Sequence, residues 1–99
     1  MGINREEVLK KLEENQNIIH QYSVRRLGLF GSCARGDHTE ASDLDFVVEF
    51  DKKTFDHYME LKAFLEKLFS CKVDLVLANT IKPRLRATIL REAVHAPGL

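Results

Sequence analysis

The stretch GLFGSCARGDHTEASDLDFVVEF, Gly28 to Phe50, decides how this chain is read. It holds the end of one apolar run, VRRLGLF (Val24–Phe30), and the whole of another, LDFVVEF (Leu44–Phe50), both rich in residues that favour strands. At the mouth of the second run stand Asp43 and Asp45, where burial alone would favour a residue such as valine. Side chains alternate along a strand, so the two aspartates share one face, with Cα atoms about 6.6 Å apart at ~3.3 Å per residue. Leu44, Phe46, Val48 and Phe50 then point the other way, into a core.

Two carboxylates this close repel each other, and the arrangement is costly unless cations neutralise it. Magnesium suits such a pair, because it takes oxygen ligands and is held by one or two carboxylates together with waters and substrate phosphates. A D-x-D pair by itself is common, and two aspartates flanking a strand on a solvated edge are the plain alternative. The neighbourhood favours the ligand reading. Gly31 and Ser32 close the first strand where a helix should open, so that backbone N–H groups free of side-chain bulk can approach phosphate oxygens. Ser32 adds a hydroxyl donor. Neither G-x-x-x-x-G-K-[ST] nor G-x-G-x-x-G is present, which excludes a P-loop and a dinucleotide fingerprint.

Outward from this stretch, NREEVLKKLEENQNII begins with Asn4 and has Glu7 three residues on, a capping-box-like start to a helix over residues 5–21 with Val8, Leu12 and Ile19 on one face. Thr54 is a candidate cap for a helix through TFDHYMELKAFLEKLF, whose Tyr58, Leu61, Leu65 and Leu68 recur at helical spacing. KVDLVLA (Lys72–Ala78) reads as a third strand, and Pro83 opens a last helix with Ile81, Leu85 and Ile89 along one stripe. The expectation is a single α+β domain over residues 1–99, layered like an α/β protein, with a small mixed sheet of about three strands flanked by helices. So few strands leave parallel against mixed order open.

With 15 basic and 15 acidic residues the chain carries no net field toward nucleic acid or a membrane, so any electrostatic function is local and no direct nucleic-acid binding is expected. The start is too charged for a signal peptide and no apolar run suits a membrane helix, which points to a soluble, cytoplasmic chain. Glu6 stands where a myristoylation motif needs Ser or Thr. Cys33 and Cys71 match no C-x-x-C pair and read as reduced packing residues, although Cys33, beside Arg35 at a possible helix start, has a nucleophile reading as its rival. His20, His38, His57 and His95 show no zinc spacing and read as surface residues. Lys82, Arg84, Arg86 and Arg91 make the last helix basic, either as solvated surface or facing a triphosphate or an acidic partner.

Gly31, Ser32, Ala34, Arg35, Gly36, Ser42, Asp43 and Asp45 match, in order and spacing, the G-S-x-A-R-G-x(5)-S-D-x-D signature of the minimal nucleotidyltransferases of the DNA polymerase β-like superfamily. The chain therefore resembles that family, and the order of its elements is similar over nearly its whole length. The resemblance implies a nucleotidyltransferase fold and transfer of a nucleoside monophosphate, AMP from ATP in the first instance, onto a hydroxyl with loss of pyrophosphate. It implies a third carboxylate on the next strand; Asp74 in KVDLV stands alone as an acidic residue in that run, with solvent exposure at a sheet edge as its plain alternative. Asp43, Asp45 and Asp74 would hold two Mg2+ ions, Asp74 would help deprotonate the acceptor, and Gly31, Ser32 and Ser42 would serve the nucleotide. Arg35 would either touch phosphate or tie down the loop from Gly36 to Ser42. Proteins resembling this one are commonly the antitoxin of a toxin–antitoxin pair, AMPylating a tyrosine of a HEPN-family ribonuclease. The rival from another class is a binding module on the same fold that neutralises its partner by contact alone.

Overall fold

The computed structural model describes residues 4–36, 43–51 and 55–99. Asn4 caps the first helix as its sequence suggests: its Oδ1 accepts from the Glu7 N–H at 2.8 Å. The helix expected to run to residue 21 is two helices, α1 (Arg5–Glu14) and α2 (Gln16–His20), broken at Asn15. There the Asn15 amide donates to the Lys11 carbonyl at 2.8 Å, competing with the helical ladder. Val8, Leu12 and Ile19 nonetheless share the buried side across the break.

β1 (Val24–Phe30) leads into the five-residue α3 (Gly31–Arg35), and β2 (Leu44–Phe50) follows. Next come α4 (Phe55–Phe69), β3 (Val73–Leu77), a 3₁₀ turn over Ala78–Thr80 and α5 (Pro83–Glu92). The expected cap Thr54 lies outside the described residues. Among the described residues the strands form one sheet in the order β1-β2-β3, with β1 antiparallel and β3 parallel to β2. The sheet is thus mixed, and its parallel pair is the one joined by a helical crossover through α4.

Alternation splits the sheet into two faces. Leu27, Leu29, Leu44, Phe46, Val48, Val73 and Leu75 join Val8, Leu12, Ile19, Leu61, Leu65 and Phe69 in the main core, with the Phe46 and Phe69 rings stacked at 5.9 Å. On the other face Val47 packs with Ala78 and Ile81, and the half-buried Phe30, Val76, Ile89, Leu90 and Ala93 gather around them. Contact through Ile89, Leu90 and Ala93 turns α5 so that Leu85, expected in its apolar stripe, stays 48% exposed. After α5 the chain returns to the free side of β1, where Leu29 and Val94 exchange backbone hydrogen bonds of 2.7 and 2.8 Å. His20 is exposed as expected and bridges the carbonyls of Val24 and Gly98 at 3.1 and 2.9 Å, whereas His95 is half-buried, its Nδ1 2.9 Å from the Leu27 carbonyl.

Candidate active site

The register sets the site. Phe30 of β1, Asp45 of β2 and Asp74 of β3 form one row across the sheet, so Asp45 and Asp74 stand abreast on neighbouring strands about 4.8 Å apart. Asp45 is half-buried and Asp74 exposed. Asp43 sits one residue ahead of β2, exposed.

Gly31 follows the same row and is the point at which β1 becomes α3. Its φ of +77° belongs to the left-handed region, which glycine enters without steric cost. A side chain there has a second obstacle, because a Cβ would collide with Oδ2 of Asp45 and lie 3.1 Å from its Cγ. The Asp45 carboxylate therefore lies directly against the backbone of the strand-to-helix turn. Sequence alone motivates this glycine by phosphate approach; the aspartate it accommodates emerges only from the pairing of strands.

Of the remaining expected site residues, Ser32 lies in the first turn of α3 and Arg35 closes that helix with its side chain exposed. Ser42 lies outside the described residues. Among the described residues no three His, Cys, Asp or Glu side chains converge into a ready metal cage. Two carboxylates abreast still fit magnesium, which completes its octahedron with water and substrate phosphates rather than with protein. The fit is that of a site finished by its substrate.

Three supports of this site escape sequence reading. Arg5, the first residue of α1, reaches across to donate from Nη1 to the Ala34 carbonyl at 3.2 Å, tying α1 to α3. A cation in the first turn of a helix opposes the macrodipole, and that misfit is the signal that could have marked it. Glu66 and Tyr58 of α4 bond the backbone of β3 at Val73 and Leu75. Nothing in their one-dimensional spacing announces those contacts.

The thiols are set apart from the chemistry. Burial pushes Cys33 up from the ordinary value of 9.0, with the nearby Cys71 and Asp45 charges adding to the rise and Arg5 opposing it. Burial likewise raises Cys71, helped by Asp43 and Glu66. Both stay protonated near neutrality, which removes the nucleophile reading of Cys33. On α5, Arg86 spends Nη2 on the carbonyls of Asn79 and Ile81 at 3.2 and 3.1 Å, while Lys82, Arg84 and Arg91 remain exposed. A cavity of about 280 Å³ lined in part by Arg25, Glu49, Asn79 and Arg86 opens at the opposite end of the strands, so cavity volume does not mark the carboxylates.

The nucleotidyltransferase domain family matches residues 5–95. The chain belongs to that family. A protein adenylyltransferase, MntA, of Thermococcus cleftensis is 36% identical over 93 residues, covering 85% of this chain and 94% of its own length. A protein of Methanocaldococcus jannaschii, provisionally assigned as a protein adenylyltransferase, is 37% identical over 94 residues, covering 90% and 94%. A solved structure, provisionally assigned as a minimal nucleotidyltransferase, superposes with a TM-score of 0.83 at 35% identity over 93% of this chain and 95% of that one. A chain of a crystallised MntA–HpeT toxin–antitoxin pair shares the fold at a TM-score of 0.61 and 23% identity, over 94% of this nucleotidyltransferase and 71% of that chain. As in other nucleotidyltransferases, the chemistry to be explained is the transfer of a nucleotidyl group. Among the described residues no helix is long and apolar enough to cross a membrane.

Proposed function

We propose that this nucleotidyltransferase moves AMP from ATP onto a tyrosine hydroxyl of a HEPN-family toxin and so acts as its antitoxin in the cytoplasm. The observation that carries the reading is the row in which Asp45 and Asp74 stand abreast while Gly31 brings the strand-to-helix turn against Asp45. The names of the relatives favour a protein as acceptor and a toxin as partner.

In this reading Gly31 and Ser32 hold the β and γ phosphates, and Arg5 keeps their helix in place through the Ala34 carbonyl. Asp43 and Asp45 would hold the Mg2+ ions, with Asp74 completing the acceptor-side position. Bound magnesium offsets phosphate charge and makes the acceptor hydroxyl easier to deprotonate. Asp74, exposed at the sheet edge, takes the hydroxyl proton. The acceptor oxygen forms a bond to the α-phosphorus as the bond from that phosphorus to the bridging oxygen breaks, and pyrophosphate leaves with the electron pair. Such a reaction asks for positioning and charge neutralisation more than for covalent help.

The test is to incubate the chain with the protein encoded beside it, ATP and magnesium, and to read the partner by intact-mass and peptide mass spectrometry. AMP on a tyrosine is expected from the parent and not from Asp74→Asn, whose partner binding and ATP affinity are largely retained. An unmodified but silenced partner would overturn the reading in favour of neutralisation by contact alone.

A further inference from the structure

β3 is an edge strand, and an edge strand is the least constrained place to mount a group that must be held still. Its inner side pairs with β2 from Val73 to Leu77, and Leu44 extends the ladder by donating to the Lys72 carbonyl at 3.1 Å. Because residues 72, 74 and 76 turn their backbone groups inward, those of 73, 75 and 77 face outward. Two of these outward groups are taken by α4: the Val73 N–H donates to Oε2 of Glu66 at 3.2 Å, and the Leu75 carbonyl accepts from the Tyr58 hydroxyl at 2.7 Å. Asp74 lies between them. The Leu77 carbonyl accepts from Thr80 Oγ1 at 2.8 Å, which secures the far end of the strand.

The geometry points to Tyr58 and Glu66 as positioning residues for Asp74, a clamp from α4 that fixes the height and tilt of β3 on either side of the carboxylate. This rests on the reading of Asp74 as the acceptor-side base. Neither residue touches the reacting atoms, and neither is needed merely to fill the core: Tyr58 is half-buried at its margin and Glu66 contributes a single acceptor. Without the clamp the outward groups would bond to water at little cost to folding. The strand would then be free to lift from β2, and the separation of Asp74 from Asp45 would no longer be set. Small displacements of a reacting group are expensive in rate, which makes the clamp visible in kcat.

The experiment uses the full chain with its partner, ATP and magnesium. Tyr58→Phe keeps the ring and removes the hydroxyl; Glu66→Ala removes the acceptor and Glu66→Gln keeps one. For Tyr58→Phe and Glu66→Ala, kcat is expected to fall about 10- to 100-fold, as for outer-shell partners of metal-site ligands. KM for ATP should stay within about twofold, because the triphosphate is held where β1 passes into α3, two strands away from β3. Glu66→Gln should return most of the rate. Ile19→Ala, a cavity beneath α2, which packs on β1, is the stability control: it lowers the melting temperature and leaves kcat per folded molecule unchanged. A readout independent of turnover is amide exchange at Asp74 and Val76, which should quicken in Tyr58→Phe and Glu66→Ala but not in Glu66→Gln. Parental kcat and parental exchange in Tyr58→Phe, with Asp74→Asn inactive, would overturn the clamp and leave the function standing. Parental transfer by Asp74→Asn would overturn the role of Asp74 and the clamp with it.

Discussion

The two faces of the sheet are built from the same seven- and five-residue strands yet do opposite things. One face is closed: Leu27, Leu29, Leu44, Phe46 and Val48 are at most 1% exposed, and α1, α2 and α4 complete the seal. The other carries Asp45, Glu49 and Asp74 among Val47, Val76 and Phe30, beneath an α5 that contributes no fully buried residue. A sheet closed on both faces would have to bury ionised carboxylates without compensation, which costs far more than the lost apolar contact. Stability is therefore concentrated on one side, and the thin cover of the other keeps water and substrate within reach of Asp45 and Asp74.

The strongest way to break this division is to attack the closed face. Phe46→Ala removes a fully buried ring and its stacking on Phe69, and should cost about 3–5 kcal/mol in urea unfolding. Against a total of about 5–15 kcal/mol for a domain, that is a large share. Transfer per folded molecule should be retained; its loss in the folded fraction would show that the faces are not separable.

Next in size is the removal of one charge from the open face. Asp45→Asn should reduce transfer by about 100-fold or more, since losing a cation ligand cannot cost less than losing a residue that only orients it. Stability should hold or rise as repulsion with Asp43 and Asp74 is relieved. A variant that lost stability in proportion to activity would make Asp45 structural.

Smaller, and sharper, is the contrast between two glycines with left-handed backbones. Gly31 (φ +77°) abuts the Asp45 carboxylate, whereas among the described residues a Cβ at Gly36 (φ +84°) would meet nothing within 4 Å. Alanine at either position should cost about 1–2 kcal/mol of backbone strain. Only Gly31→Ala should also depress transfer, because only there must the carboxylate move. Equal activity in the two variants would remove the turn from the site.

Most of the candidate site's row was legible in one dimension because it is local. The G-S-x-A-R-G and S-D-x-D segments lie within fifteen residues, and the strand alternation that separates Asp45 from Phe46 needs no tertiary information. Asp74 was legible as an acidic residue inside an apolar run, but that it stands abreast of Asp45 depends on the parallel register. What was hidden is long-range: the Arg5 contact spans 29 residues, the Tyr58 contact 17 and the His95 contact 68. The break at Asn15 was hidden for another reason, since its amide takes a helical carbonyl while the apolar periodicity continues across it. Leu85 misled because periodicity names an apolar stripe without saying which part of it the partner surface covers.

The least effect expected, and the most direct probe of communication between the faces, is a pH dependence carried by the thiols. Cys33 packs in the closed core, yet its pKa is raised by burial first, then by Cys71, and also by Asp45 on the open face, against Arg5. A thiol whose pKa is higher in the folded chain keeps its proton when the unfolded chain has lost it, so the folded state binds more protons above the ordinary value of 9.0. Stability should accordingly be level below that pH and decline as pH rises past it, in Cys33→Ala less steeply than in the parent. Asp45→Asn, by withdrawing a negative charge, should make the decline attributable to Cys33 smaller and end it at a lower pH, since the folded thiol then resists ionisation less and its pKa lies closer to the unfolded value. Asp43→Asn should act in the same sense through Cys71. Urea unfolding of the four proteins under reducing conditions between pH 7 and about 10.5 separates the contributions, lysine and tyrosine titration being common to all of them. An identical decline in Asp45→Asn and the parent would show that the Asp45 charge is not felt across the sheet.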